Sequence, residues 1–452
     1  TICVVFLWGR RAINERAGLC AALVLCLSVR FLYLGRMLSF DILLAFFVVA
    51  SLALAHLAIR QQFRWRLWIG SAVLAAFGIL TKGPIALLLI LAPVMVFAFL
   101  DRRIATPRWK HWLSYFAVVL LVASPWFILM CLRHPTFAHE FFWRHHVLRF
   151  VAPFDHQEPV WFFLPGLILG MLPWTLLLPG LLRFVFRRSR RVASRRPVAL
   201  GFFLLAFLWG FLFFSLSGCK RAVYILPVLP FLALSLGCYF DYLLPQRVTL
   251  FDAIWRPLRR SILARRATLL VLALGWMAGL VGLTIKMFTP GTALIMMIVP
   301  LIGLVLLLGS RARHVSWGRC GLATFVMLFL GVQLALPDYN RRFALKRCAQ
   351  AQRSVAKHVP VISYPQQFSS IGFYLQREVR AYSTAQRDEL IRDAEQHPRS
   401  LLFVKTGRSM KGLIKALPST LEFREQDRQG KVVVGWIQQR NSTQGAIAQL
   451  SK

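Results

Sequence analysis

One feature constrains this chain more than any other: long apolar stretches recur along three quarters of its length. They lie near residues 17–35, 41–59, 67–80, 85–100, 111–132, 160–182, 198–216, 222–243, 267–286, 291–309 and 320–336. A helix needs about 20 apolar residues to cross about 30 Å of hydrocarbon. The expected fold is therefore mainly α, a polytopic membrane helix bundle of about eleven spans, with residues 1–9 read as the tail of a further one. The third and fourth stretches are short and meet at Thr81-Lys82-Gly83-Pro84, as a tight helical hairpin or one broken helix.

Charge sharpens this reading. The 452 residues carry a formal net charge of +38, yet 58% are hydrophobic and only 16% charged. A soluble enzyme carries about 25% charge, and a disordered basic tail would lack the 37 Phe and 14 Trp. A nucleic-acid binder of this charge would be polar, so no nucleic-acid partner is expected. The eight cysteines lack metal-type spacing and read as small apolar residues. Cys219 and Cys348 share a predicted compartment that permits a disulfide, which nothing in their spacing selects.

The basic residues alternate between loops. One set of connections holds 26 of them, including Arg10, Arg11, Arg16, Arg60, Arg64, Arg66 and seven from Arg183 to Arg196; the opposite set, counting Arg30 inside a span, holds nine. Positive charge stays on the cytoplasmic side. Residues 1–337 therefore form the membrane domain. Residues 338–452 lie outside, in a bacterial periplasm or its equivalent.

That tail has 20 basic and nine acidic residues and only short apolar runs. Strand-like runs at Val359–Tyr364, Val379–Ser383, Leu401–Lys405 and Lys431–Gln438 flank helix-like stretches at Ala344–His358, Arg387–Gln396 and Met410–Leu417. The pattern predicts a small α/β domain, a lid or support without a catalytic motif of its own.

Polar residues cluster on the outward side of the membrane part. Charged groups there are costly, so a basin of them is a site hypothesis. Asp41, after Gly35-Arg36-Met37-Leu38-Ser39-Phe40, opens a long apolar helix, where it either serves the helix start or does chemistry. Lys82 puts an ammonium between two apolar stretches, as a snorkelling side chain or a ligand. The loop Phe141–Phe150 and its continuation to Trp161 hold Arg144, His146, Arg149 and His156, which suit an interfacial helix or an anionic headgroup. A metal held by His139, His145, His146 and His156 is chemically possible, but the spacing is not diagnostic, and neither metal nor other cofactor is predicted. Lys220 and Arg221, before Tyr224, place two cations at a helix start, which an anion would offset. Several cations around an interfacial basin fit a lipid phosphate: Arg through a fork of donors, Lys as a point charge.

These pieces, taken in order, resemble a known family. Gly35-Arg36 with Asp41, Leu80-Thr81-Lys82-Gly83, Pro159–Pro165 followed by Leu172-Pro173-Trp174, and Ser215-Leu216-Ser217 with Lys220 and Tyr224–Pro227 are similar to motifs of bacterial lipid-linked-sugar glycosyltransferases of the C-type fold. That group holds the aminoarabinose transferases of lipid A and the protein O-mannosyltransferase-like enzymes. The resemblance implies a glycosyltransferase, hexosyl- or pentosyl-, of the bacterial inner membrane and cell envelope. It would move a sugar from a polyprenyl-phosphate donor to a lipid or protein acceptor at the outer face, typically with inversion at the sugar carbon. Carried over residue by residue, Asp41 is the catalytic candidate. Arg36, Lys82, His146, Arg149, His156, Lys220, Arg221 and Tyr224 are candidate substrate contacts. The family also implies an acidic residue in a first outer loop after a first span, which this sequence does not contain; the reading expects a chain truncated at its N-terminus. The Lys220–Tyr224 run departs from the Ser-Lys-Leu-Pro type of the aminoarabinose transferases, which leaves the sugar open. The alternatives are a lipid or polysaccharide transporter, which should show internal repeats, and an O-antigen ligase-type enzyme.

Overall fold

The computed structural model describes residues 1–37, 39–60, 62–101, 104–148, 151, 157–244, 261–310 and 314–440. It falls into two compact units: residues 1–274 with 300–328, and residues 275–299 with 329–452.

Helices occupy every one of the eleven apolar stretches. Among the described residues, seven are long and apolar enough to cross a membrane alone, and nine if two bent pairs each count as one span. The bends fall where hydropathy alone predicts single helices. Residues 17–35 are α2 (Glu15–Cys26) and α3 (Val29–Gly35), turned by 67°; residues 160–182 are Val160–Gly170 and Trp174–Phe186, turned by 101°. Hydropathy reports burial in an apolar medium, not the direction of the axis, so it carries no sign of either bend. The two stretches at Lys82 are α5 (Trp65–Lys82) and α6 (Ile85–Leu100), packed on each other as a hairpin.

In the first unit the core is set by close approach of small residues, the usual device where lipid removes the hydrophobic drive between helices. α1 (Ile2–Ala12) crosses α2 backbone to backbone: a Cβ on Gly9 would lie 2.6 Å from the Cα of Gly18. α4 (Phe40–Ile59) and α5 pack on each other, and Ala45, Ala53, Ala72, Ala75 and Ala76 on them are all buried. Polar glue adds to this: Ser51 Oγ donates to the Ser71 carbonyl at 2.9 Å, and the Tyr115 hydroxyl of α7 (Trp109–Arg133) lies 3.3 Å from Ser51 Oγ. α7 presents Leu120, Leu121 and Leu132 on its open side, as expected of a lipid-facing surface.

The second unit holds a five-stranded sheet, ordered β2-β1-β3-β5-β4. β1 (Val361–Tyr364) pairs in parallel with β2 (Arg380–Ala381) and β3 (Arg399–Lys405), while β5 (Val432–Gln439) runs antiparallel to β3 and β4 (Leu421–Gln429). Both sheet faces are covered. Val361, Leu401, Phe403 and Val434 pack on one side, Ile362, Leu402, Val404 and Val433 on the other, which is why β1 and β3 read as continuous apolar runs. Helices Arg387–Glu395 and Arg408–Ala416 fall where expected. β4 is absent from the sequence-based expectation, because an edge strand dressed in charge (Glu422, Arg424, Glu425, Asp427, Arg428) has no apolar alternation to read. All eight cysteines are free thiols in the structure.

Candidate active site

The end of α3, the start of α4, the end of α5 and the start of α6 share the end of the bundle where the expected basin lies. Ser39 caps α4: its Oγ accepts from the Asp41 amide at 3.1 Å and donates to Asp41 Oδ2 at 2.8 Å. The other carboxylate oxygen, Oδ1, receives the ammonium of Lys82. Asp41 is buried, 7% exposed. A carboxylate removed from water requires both a charge partner and a second donor, and this one has both.

Lys82 is the last residue of α5. The next residue, Gly83, takes φ +78°, a conformation that side chains with a Cβ avoid, and turns the chain into α6. The turn aims the ammonium along the bundle end instead of outward, as a snorkelling lysine would be. The same Nζ lies 4.3 Å from the centroid of the Tyr224 ring, a cation–π contact. Asp41, Lys82 and Tyr224 come from three separate segments.

His146 closes one side. It belongs to the π-helix His139–Leu148, within the loop rich in aromatics. Its Nε2 lies 3.1 Å from the Lys82 carbonyl, and its Nδ1 2.6 Å from the Phe141 carbonyl. A Cβ on Gly83 would sit 2.4 Å from Nε2, so glycine serves the turn twice, by its φ and by leaving room for the imidazole.

Lys220 departs from expectation. It is 4% exposed, and its ammonium donates to the Glu158 carbonyl at 2.8 Å and the Ser217 carbonyl at 2.5 Å. Together with the β-bridge between Gln157 and Cys219, it staples the outer loop to the end of helix Val198–Leu216. The helix-start charge is offset by carbonyls, which sequence alone could not reveal. Arg36 ends α3 and Arg221 precedes the 3-10 turn Ala222–Ile225; both are exposed. Arg149 and His156 lie outside the described residues. Among the described residues, no group of three or more His, Cys, Asp or Glu side chains is arranged to hold a metal ion.

The structure thus brings together Asp41, Lys82, Tyr224 and His146, and holds the Lys220 ammonium on two backbone carbonyls. Sequence reasoning missed Ser39, whose N-cap pattern was legible, and Arg30, whose signal was its rarity inside a span.

Comparison with known proteins bears on the fold and on sequence similarity. The family described as dolichyl-phosphate-mannose-protein mannosyltransferase matches residues 1–129. The undecaprenyl phosphate-alpha-4-amino-4-deoxy-L-arabinose arabinosyl transferase 1 of Sodalis glossinidius (strain morsitans) is 35% identical over 233 residues, 50% of this chain and 40% of that protein. The corresponding transferase of Pectobacterium atrosepticum is 32% identical over 241 residues, 51% of this chain and 41% of that one. The aligned part thus spans well under half the length of these relatives. The crystal structure of ArnT from Cupriavidus metallidurans bound to undecaprenyl phosphate superposes with a TM-score of 0.69 at 20% identity, covering 96% of this chain and 81% of that one. Its apo form gives the same TM-score at 19% identity. The chain is thus similar in sequence, over about half of its length, to undecaprenyl-phosphate aminoarabinose transferases, and over nearly all of it has the fold of the ArnT structures.

Proposed function

We propose that this chain carries the donor-phosphate site of an integral-membrane glycosyltransferase. It takes a sugar from a polyprenyl phosphate and gives it to a lipid acceptor at the outer face of the bacterial inner membrane. The observation that carries the reading is the Lys82 ammonium, held at the bundle end between a buried carboxylate and an aromatic face. The basic-loop pattern supports a periplasmic place for that end and for residues 338–452.

The chemistry follows from charge. When the sugar leaves, negative charge builds on the lipid phosphate. A preorganised ammonium in a poorly hydrated site stabilises that charge more than water would. Asp41 serves as the holder of Lys82: both its oxygens are engaged, by Lys82 and by Ser39, which leaves it poorly placed to take a proton. That arrangement favours an acceptor that needs no base, such as a phosphate already ionised at neutral pH, over a hydroxyl. The names of the relatives make undecaprenyl phosphate-alpha-4-amino-4-deoxy-L-arabinose the first donor to supply, and the resemblance to the aminoarabinose transferases of lipid A makes lipid A the first acceptor to try. Likeness to transferases disfavours the transport alternative.

The test is sugar transfer in proteoliposomes of the full-length protein, with radiolabelled donor. Lys82→Ala and Asp41→Asn should each lower transfer at least a hundredfold while the protein still inserts; normal transfer by both variants would refute the site.

A further inference from the structure

Arg30 stands in the interior of an apolar span, whereas Lys286 stands at the end of one. Arg30 lies on α3, beyond the bend that separates α3 from α2. Its guanidinium reaches across to the segment that carries Tyr224, where Nη2 donates to the Ala222 carbonyl at 2.9 Å. Its Nε is buried without an acceptor among the described residues.

The path of the side chain is prepared by two glycines. The helix Phe163–Gly170 presents Gly166 and Gly170 one turn apart on the face that Arg30 crosses. A Cβ on Gly166 would lie 2.4 Å from Arg30 Nη1, and a Cβ on Gly170 2.4 Å from Arg30 Cβ. The aliphatic stem therefore lies over Gly170 and the guanidinium over Gly166. A charged group in an apolar span with a single carbonyl partner costs stability unless it does something else. What it touches is the turn Ala222–Ile225, whose Tyr224 ring faces Lys82.

We propose that Arg30, seated in the Gly166–Gly170 groove, is a positioning residue: it fixes the Ala222 carbonyl and so sets the height of the Tyr224 ring against Lys82. The proposal rests on the donor-site reading given above. It adds a second row of residues that acts through the Ala222 carbonyl.

Four variants of the full-length protein test it: Arg30→Ala, Arg30→Lys, Gly166→Ala and the double variant Arg30→Ala/Gly166→Ala. The three atoms nearest to a Gly166 methyl all belong to the flexible end of Arg30, so the methyl should evict the guanidinium without moving the helices. Arg30→Ala and Gly166→Ala should each raise the KM for the polyprenyl-phosphate donor about tenfold with a smaller change in kcat. Arg30→Lys, which keeps a cation able to reach a carbonyl, should recover most of the loss. The double variant should be no worse than Arg30→Ala, because both changes break one contact. Hydrogen exchange over residues 217–226 should rise in Arg30→Ala whether or not transfer is measurable, which separates this inference from the donor-site reading. Unchanged exchange, additive losses in the double variant, or wild-type KM in Arg30→Ala would each overturn it.

Discussion

At the residue scale, the Asp41–Lys82 pair was legible as two separate suspicions, an acidic helix start and an ammonium between apolar stretches. That they meet was not, because 41 residues separate them and only the packing of α4 on α5 joins them. The pair is unequal: the Asp41 side chain is 9% exposed and that of Lys82 27%. Removing Lys82 strands a buried carboxylate, which costs about 3 kcal/mol, whereas Asp41→Asn leaves a lysine that can swing to the interface. Lys82→Ala should therefore lower the thermal midpoint in detergent more than Asp41→Asn does, as differential scanning fluorimetry would read. Cys348 gives a second residue-scale prediction. Burial first, and then the Asp427 carboxylate that its thiol faces at 3.3 Å, push its pKa up to about 12. The thiolate is the nucleophile, so a raised pKa slows alkylation. Iodoacetamide at pH 8–9 should leave Cys348 unmodified in the folded protein and label it after denaturation, as peptide mass spectrometry would show. Ready labelling of the folded chain would contradict the buried thiol.

At the scale of elements, the legible features were those written in local composition. Apolar stretches gave helices, and β1, β3 and β5 gave their own strands. The illegible ones depend on partners: the bends after Cys26 and Gly170, the charged edge strand β4, and the capture of Lys220 by the Glu158 carbonyl. The α5–α6 turn lies between the two classes. Gly83-Pro84 marked a break, and the hairpin geometry now shows what it requires: φ +78° and space for His146. Gly83→Ala should therefore cost about 1–3 kcal/mol and reduce transfer, because it strains the turn and displaces His146 together. Gly412, in the helix Arg408–Ala416, has nothing within 4 Å of where a methyl would sit, and Gly412→Ala should be neutral or stabilise by about 0.5–1 kcal/mol. Thermal midpoints of the two variants check both expectations, and a Gly83→Ala protein as stable as wild type would contradict the turn's role.

At the scale of the whole molecule, the charge of +38 divides by purpose. Most of the basic residues outside the α/β region lie in loops that set orientation, and few sit at the bundle end that holds Lys82. With orientation set this way, Ser194→Cys should react with a membrane-impermeant maleimide only from the cytoplasmic side and Ser419→Cys only from the other; labelling of both from one side would reverse or break the topology. The central claim is narrower: the small outward remainder recognises a lipid phosphate. The most direct test is native mass spectrometry of the purified full-length protein with undecaprenyl phosphate and with undecaprenol, which lacks the phosphate. The account predicts that the wild-type protein binds the phosphate form at least tenfold more tightly, and that Lys82→Ala removes most of that preference. Equal binding of the two lipids by the wild-type protein, or an undiminished preference in Lys82→Ala, would contradict it.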